Sequence, residues 1–365
     1  MINEICLPQS LQARESLARL TQLQERFRAG LDELSSRFAD QSSLVKSSWL
    51  RDEGLHGGGW RWGNVDSGIL NRGSLNISTV HYDDLLDKRL SSATALSCIV
   101  HPQEPRVPSL HTHISWTELR NGEGGGWRLM ADLNPSYLIE EDRESFTTEI
   151  DKALIPLSEY WLHHAKSQGD RYFWIPALNR HRGVAHYYVE QWKTDHFESD
   201  LSKAMMFGES VIDIYLKIVN RALLRPGSEL PEATLSRQIE YHSLYFLQVL
   251  TLDRGTSSGL LVHRQNDEGI MGSLPQRVDR RLLRSWVSLL PKPQDLLLAK
   301  LCDTLTAPLG GSEICTLDSE TRVALAQVVR EHYRAFPEAL ALQARGDILP
   351  PTVANHVAES NDTQR

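Results

Sequence analysis

The sequence is poor in cysteine and contains no long apolar run. Its 365 residues include four cysteines, and no two of them stand in a C-x-x-C pair. This spacing argues against a zinc site or a disulfide framework and is typical of reduced thiols in the cytoplasm. No apolar run reaches the roughly 18 residues that a membrane-spanning helix needs. Because the first residues also lack a basic stretch followed by an apolar one, we expect no secretory signal.

An excess of positive charge is also absent. Lysine and arginine together number 39 against 47 aspartates and glutamates, which gives a formal net charge of −8. A nucleic-acid partner requires a basic surface, so we do not expect one. The hydrophobic content of 41% and the charged content of 24% are typical of a globular protein. We therefore expect a soluble cytoplasmic protein that neither spans a membrane nor binds nucleic acid.

The three consecutive glycines that begin at residue 57 do not belong to a phosphate-binding loop motif. Residues 57–63, GGGWRWG, include three consecutive glycines that could surround a phosphate. Such a loop ends in lysine followed by serine or threonine, and this segment does not. We therefore interpret it as a tight turn beside tryptophans.

Periodic segments predict both helices and strands. Leucine and phenylalanine recur at helical spacing over about residues 9–39, which predicts an amphipathic helix. Further helices are predicted at about residues 201–224, 296–305 and 322–336. Strands are predicted at residues 93–100 (buried on both faces), 172–175, 183–189 and 244–252. Because the loops between strands are too short for helices, the pattern favours an antiparallel sheet flanked by helices, an α+β fold.

The composition indicates one main domain. No linker separates two different compositions and no internal repeat is evident, so we predict a single domain over residues 45–349. The amphipathic helix forms a separate N-terminal segment, residues 1–44. Residues 350–365 lack aromatic side chains and are rich in polar ones, which predicts a disordered tail.

Two segments bring together side chains that can carry chemistry. His111, His113 and Ser115 alternate with other residues, so they would share one face of a strand. An apolar run ends at an adjacent acid and base, Asp253 and Arg254. This pattern predicts a strand followed by a turn that contains the two charged residues. Both could reach one pocket only if the turn starts between them. Alternatively, Asp253 caps local N–H groups in a purely structural turn.

These segments resemble the oxygen-dependent coproporphyrinogen III oxidase family. Residues 253–256, DRGT, are identical to its D-R-G-T, and residues 268–275, EGIMGSLP, resemble its E-S-I-L-M-S-L-P. Four further segments match in the same order: residues 76–81 (NISTVH), 101–111 (HPQEPRVPSLH), 132–137 (DLNPSY) and 182–184 (RGV). Their shared order and spacing make chance an unsatisfactory explanation. The resemblance covers about residues 45–290.

The resemblance implies a fold and a reaction. The fold would be a large flat antiparallel β-sheet sandwiched between layers of α-helices, in a homodimer. The family removes a propionate carboxyl group from a reduced pyrrole and leaves a vinyl group, while O2 accepts two electrons. No organic cofactor is needed, so O2 would be a co-substrate of the protein alone. Side chains must then supply a carboxylate beside the pyrrole N–H, a cation for the substrate carboxylate and an acid–base group.

The resemblance also implies which residues fill these roles. Asp132 and Asp253 are the candidate carboxylates, and Arg254 or Arg182 could bind a substrate carboxylate with both arms of its guanidinium. His111 occupies the place of the proposed proton donor. The implied catalytic set is therefore His111, Asp132, Asp253 and Arg254, and the implied substrate-binding set is Ser97, His113, Ser115, Arg182, Arg264 and Glu268. For Asp132 an Asx-turn ahead of Pro135 is an equal alternative.

The departures from the family concentrate on substrate and metal binding. His113 and Ser115 stand where the family has an asparagine and a carboxylate-binding arginine. Of four histidines proposed as a divalent-metal set in parts of the family, His101 and His111 remain, and His101 could equally be an interior histidine. Two imidazoles rarely bind a metal tightly, so we predict none, although His113, His181 and His186 could rebuild a site.

The sequence leaves three functions open. The first is a cofactor-free oxidative decarboxylase of the family type that acts on an altered substrate, either a small-molecule carboxylate or a tetrapyrrole. The second is an authentic coproporphyrinogen III oxidase, and the third is a non-catalytic porphyrin-binding relative. We rank the altered substrate first, because the catalytic residues are present whereas the substrate-binding residues differ.

Overall fold

A seven-stranded antiparallel sheet forms the centre of the protein. The structure, a computed structural model, describes residues 4–39, 44–64, 68–120, 124–225, 232–308, 311–347, 353 and 356. Strands in the sheet follow the order β1-β2-β3-β4-β5-β6-β9, and two separate two-stranded sheets pair β7 with β8 and β10 with β11. The strands are β1 Leu44–Leu50, β2 Gly57–Asn64, β3 Leu70–His81, β4 Leu90–Pro102, β5 Ser109–Leu119, β6 Gly124–Asn134, β7 Trp174–Ile175, β8 Arg180–His181, β9 Ala185–Trp192, β10 Arg277–Asp279 and β11 Ile314–Thr316.

Helices cover both faces of this sheet. They are α1 Leu11–Ala39, α2 Glu140–Leu154, α3 Glu159–Phe173, α4 Phe197–Leu224, α5 Glu232–Thr251, α6 Arg254–Val262, α7 Asp267–Met271, α8 Arg280–Trp286, α9 Gln294–Thr304 and α10 Ser319–Ala335. Helices α1, α2 and α4 pack on one face, and α5 to α10 form a second apolar cluster on the other. The predicted α+β fold with a sheet between helical layers is confirmed. Among the described residues no helix is both long and apolar enough to cross a bilayer.

The two faces of the sheet differ in chemistry because side chains alternate along each strand. In β4, Leu96 and Cys98 are buried against the helices of α1 and α4, whereas Ala95 and Ser97 face the opposite side. The same alternation runs through β3, β5 and β6. One face therefore forms the main core, and the other carries small and polar side chains that leave space beneath α5, α6 and α7.

Several secondary-structure predictions are confirmed. The helices at 9–39, 201–224, 296–305 and 322–336 correspond to α1, α4, α9 and α10. The strand at 183–189 lies within the span of β9 apart from its first two residues, and the strand at 93–100 lies within β4. The prediction of burial on both faces of β4 is wrong, because Ala93 and Ser97 are only partly buried beside a cavity. The predicted disordered tail lies outside the described residues apart from positions 353 and 356.

Three local predictions are wrong. Residues 244–252 form the end of helix α5, not a strand, because this helix is buried on nearly every side and so loses the polar face that reveals helical periodicity. Residues 172–175 contain the end of α3 and only two strand residues. The glycine-rich segment is strand β2, not a turn. Its glycines permit close packing, since a Cβ on Gly59 would lie 2.1 Å from the carbonyl oxygen of Ile77.

We expect the packing of α1 on the sheet to contribute a large part of the free energy of unfolding. Phe27 is fully buried and meets Tyr215 of α4 edge to face, with ring centroids 5.9 Å apart. Replacing Phe27 with alanine should lower the free energy of unfolding by about 3–5 kcal/mol, measured by urea denaturation. Leu11→Ala on the same helix is the control, because Leu11 is 78% exposed and should change stability by less than about 0.5 kcal/mol. Equal effects of the two substitutions would contradict this packing.

Candidate active site

A cavity of about 310 Å³ lies between the polar face of the sheet and helices α5, α6 and α7. Its floor comes from β3, β4, β5, β6 and β9, and its roof includes Tyr245 and Val249 of α5 and Ile270 of α7. Five residues of the predicted site line it: Ser97, His111, His113, Ser115 and Asp253. The volume is within the range of small-molecule sites, about 300–1,000 Å³. The predicted common face of His111, His113 and Ser115 is confirmed.

The strand register places the polar side chains of the floor in rows. Ser97 of β4 pairs with His113 of β5, and Ser115 of β5 pairs with Arg128 of β6. In the next row, His111 of β5 pairs with Asp132 of β6. Because paired residues in an antiparallel sheet point to the same face, Arg128 and Ser115 share the cavity wall.

A buried charge pair lies directly behind His111. Asp132 is 0% exposed and Arg182 is 1% exposed, and their Oδ2 and Nη2 atoms are 2.7 Å apart. His111 Nδ1 lies 3.0 Å from Asp132 Oδ1 and 3.2 Å from Arg182 Nη2. The remaining ring nitrogen, Nε2, is therefore the one available for proton transfer in the cavity. Neither Asp132 nor Arg182 is among the residues that line the cavity, so both are connected to it through His111.

Further contacts hold this pair in place. Asn134 Nδ2 donates to Asp132 Oδ2 at 2.6 Å, and Arg182 Nη1 donates to Gln248 Oε1 at 2.6 Å. Burial alone would raise the pKa of Asp132, but the charge of Arg182 and the contact with His111 lower it well below its usual value. Asp132 is therefore a permanently charged group. The alternative of a local Asx-turn does not account for these long-range contacts.

Asp253 caps helix α6 and also lines the cavity. Its Oδ2 accepts a hydrogen bond from the backbone N–H of Thr256 at 2.7 Å, and its Oδ1 accepts one from the hydroxyl of Tyr172 at 2.7 Å. Burial and the charge of Asp253 raise the pKa of Tyr172 well above its usual value, so the phenol stays protonated and donates. The capping alternative is therefore observed, and the same carboxylate also faces the cavity.

Sequence reasoning missed a second polar cluster in the wall. Arg128 and Glu190 form a two-pronged ion pair, with Nε–Oε2 and Nη2–Oε1 distances of 2.6 and 3.2 Å. The hydroxyl of Tyr188 donates to Glu190 Oε2 at 2.5 Å, and its ring stacks on Tyr172 with centroids 4.9 Å apart. Strand alternation could have found Arg128, because it precedes Asp132 by four residues and so shares its face.

Most imidazoles of the cavity wall are held in the neutral form. Burial and the charge of Arg128 lower the pKa of His113 well below its usual value. Burial and the charge of Arg51 lower the pKa of His263 to about 3, and the Nη1 of Arg51 lies 2.7 Å from His263 Nδ1. These rings therefore add polarity to the cavity but little positive charge.

Besides Asp132 and Arg182, four further predicted residues are not among those that line the cavity. Arg254 begins helix α6 and does not follow a strand, and its Nη2 donates to the carbonyl oxygen of Leu340 at 3.0 Å. Arg264 is exposed, and Glu268 is bound to Arg61 of β2 at 2.9 Å. His101 is an interior histidine whose nitrogens contact Ser109 Oγ and the carbonyl oxygen of Ser273. The three-residue group of possible metal ligands in the described chain includes neither His101 nor His111.

The buried pair should make Asp132 sensitive to substitution. Asp132→Asn leaves the guanidinium of Arg182 buried without its counter-charge, so the free energy of unfolding should fall by about 3–5 kcal/mol in urea denaturation. The control is Asp213→Asn, which breaks an exposed ion pair with Arg26 of the same 2.7 Å length and should cost less than about 1 kcal/mol. Similar losses of unfolding free energy in both variants would show that burial does not make the ion pair of Asp132 more important for stability than an exposed one.

Comparison with known proteins agrees with this arrangement. Residues 16–283 match the family model described as Coproporphyrinogen III oxidase. Two curated proteins named "Oxygen-dependent coproporphyrinogen-III oxidase" are similar. The protein of Rickettsia bellii is 28% identical over 278 residues, covering 71% of this chain and 94% of its own. That of Rickettsia akari is 28% identical over 251 residues, covering 65% and 85%. Since the model match spans most of the sequence, the chain belongs to the coproporphyrinogen III oxidase family.

Proposed function

We propose that the protein is an oxygen-dependent oxidative decarboxylase whose reaction takes place in the cavity without an organic cofactor. The substrate would be an electron-rich ring, such as a reduced pyrrole, with a propionate side chain. In each turnover the bond to the carboxyl carbon breaks and CO2 leaves. The side chain becomes a vinyl group, and O2 takes up two electrons and two protons to become hydrogen peroxide.

The contacts of the Asp253 carboxylate carry this proposal. Asp132 is paired with Arg182, and Glu190 is paired with Arg128. Asp253 instead receives hydrogen bonds from two neutral donors, the Tyr172 hydroxyl and the Thr256 N–H. Within the described parts of the chain no ion pair neutralises it. A carboxylate of this kind at a cavity wall stabilises positive charge that develops in a ligand, which is what removal of electrons from a pyrrole requires.

His111 is the acid–base group in this proposal. It faces the cavity, and its Nδ1 is fixed by the Asp132–Arg182 pair, so its ring has one orientation. A positioned imidazole can take a proton from the substrate carbon or donate one to the reduced oxygen species. Asp132 and Arg182 act through His111 and do not touch the substrate.

The charges of the wall favour a substrate with few carboxylates. Arg128 is the single arginine or lysine among the described residues that line the cavity, and Glu190 already balances its charge. A substrate with four carboxylates would need several fixed cations, since an unpaired buried carboxylate is costly. We therefore place an altered substrate, with one or two carboxylates near Arg128, ahead of coproporphyrinogen III. The names of the relatives support coproporphyrinogen III as the second candidate. The cytoplasmic location and the homodimer remain predictions.

The first test measures oxygen uptake and product mass with coproporphyrinogen III and with reduced pyrroles that carry one or two propionates. We expect CO2 loss and peroxide formation, fastest for the less charged substrates. Asp253→Asn keeps a side chain that can cap α6 but removes the charge, so kcat should fall by about a hundredfold or more.

The control is Asp318→Asn, which alters the cap of α10 at Thr321 in the same way but at a residue that does not line the cavity. Full activity in both variants would show that Asp253 caps helix α6 but takes no part in the reaction. Binding of a porphyrin with no oxygen uptake from any substrate would favour the non-catalytic relative.

A second test addresses the carboxylate contact of Arg128. The wild-type protein should bind a pyrrole propionate more tightly than its methyl ester, by about tenfold to a hundredfold in calorimetry, which is typical of a charged hydrogen bond. The double variant Arg128→Gln with Glu190→Gln removes both charges together, so that neither is left buried alone, and should bind acid and ester equally. Arg26→Lys, at an exposed pair, is the control. If the double variant still binds the acid more tightly than the ester, the carboxylate of the ligand does not bind at Arg128.

A further inference from the structure

A second cluster of potential ligands lies outside the cavity wall. It consists of Asp170 of α3, His181 of β8 and His186 of β9, and their ligand atoms all lie within 4.8 Å of one another. None of these residues lines the cavity, and none belongs to the predicted pair His101 and His111. Of the three histidines that could rebuild a metal site, two therefore come together, whereas His113 lies in the cavity.

The hydrogen bonds of His186 indicate which nitrogen faces the cluster. Its Nε2 lies 2.7 Å from the carbonyl oxygen of Arg182, and a carbonyl oxygen can only accept, so Nε2 carries a hydrogen. Its Nδ1 lies 2.8 Å from Asp170 Oδ1. An unprotonated ring nitrogen and a carboxylate oxygen at this distance need either a proton between them or a metal ion that both of them coordinate. A histidine that donates one N–H to a carbonyl while the other nitrogen is free to coordinate is the common arrangement at metal sites.

His181 completes the set from the neighbouring hairpin. Its ring stacks on that of His186 with centroids 5.2 Å apart and meets Trp174 edge to face at 4.8 Å. Both imidazoles are thus held in position by packing, while the side chain of Asp170 is 63% exposed and can be approached by a solvated ion. Two imidazoles and one carboxylate are typical ligands of zinc and of neighbouring transition metals, and they are less suited to calcium or magnesium.

We propose that Asp170, His181 and His186 bind a divalent transition-metal ion, with water at the remaining positions. The ion would link α3 to the β8–β9 connection. Because His186 also contacts the backbone of Arg182, this linkage would stabilise the segment that presents Arg182 to Asp132. The proposed role is structural support of the site from outside the cavity, and it does not depend on the proposed reaction.

The test titrates the full chain, treated with chelator and then dialysed, with Zn²⁺ in calorimetry and with Co²⁺ by visible absorption. We expect one ion per chain, a Co²⁺ spectrum with nitrogen ligands and a rise in Tm on addition of Zn²⁺. His181→Ala and Asp170→Asn should each weaken binding at least about tenfold. Both residues are at least partly exposed, so these variants should fold, and circular dichroism checks this.

His163→Ala, at an exposed histidine of the same helix α3, is the matched control and should bind like the wild type. The proposal is overturned if the wild-type protein shows neither heat nor a Co²⁺ spectrum, or if His181→Ala binds as tightly as His163→Ala. It is also overturned if binding is lost in His111→Ala but kept in His181→Ala, since the ion would then lie at the cavity.

Discussion

The ion pair between Asp132 and Arg182 is the constraint on which the rest of the candidate site depends. Both side chains are almost fully buried, and neither charge could remain there without the other. Arg182 also donates to Gln248 of α5 and lies over the ring of Phe173 of α3, at 4.6 Å from its centroid. One guanidinium thus connects the sheet with helices α3 and α5. His111 contacts this pair, so the orientation of the proposed acid–base group follows from a contact formed in the interior.

Strand alternation then separates the core from the cavity. Leu96, Ile114 and Leu129 point into the apolar layer under α1 and α4, while neighbouring positions on the same strands carry small or polar groups. Small residues such as Ala95, Ser97 and Ser115 leave the volume of the cavity. Arg128 enters this space from the strand beside Ser115, and it brings its own counter-charge from Glu190. The wall is therefore polar but nearly balanced in charge, apart from Asp253.

Local patterns predicted the parts of the fold that are periodic or half-buried. Helices α1 and α4 and the common face of His111, His113 and Ser115 follow from spacing alone. Helix α5 did not, because burial of both the polar and apolar sides of a helix removes its periodic signal. The pairing of Asp132 with Arg182, fifty residues later, depends on β6 and the segment before β9 meeting in space. Arg254 was misplaced because the prediction treated helix α5 and the cap of helix α6 as a strand and a turn.

The proposed separation of roles in the site gives a physical reason for a changed substrate with the family's chemistry retained. The groups proposed to act in catalysis are bound into the structure: Asp253 caps α6, and His111 contacts a buried ion pair. A change at either group would disturb folding as well as reactivity. Positions 97, 113 and 115 instead face the cavity from the middle of paired strands, where a change of side chain creates no void in the apolar layer. Substrate recognition is therefore the less constrained of the two properties. The proposed altered substrate is therefore consistent with the constraints on these two sets of residues.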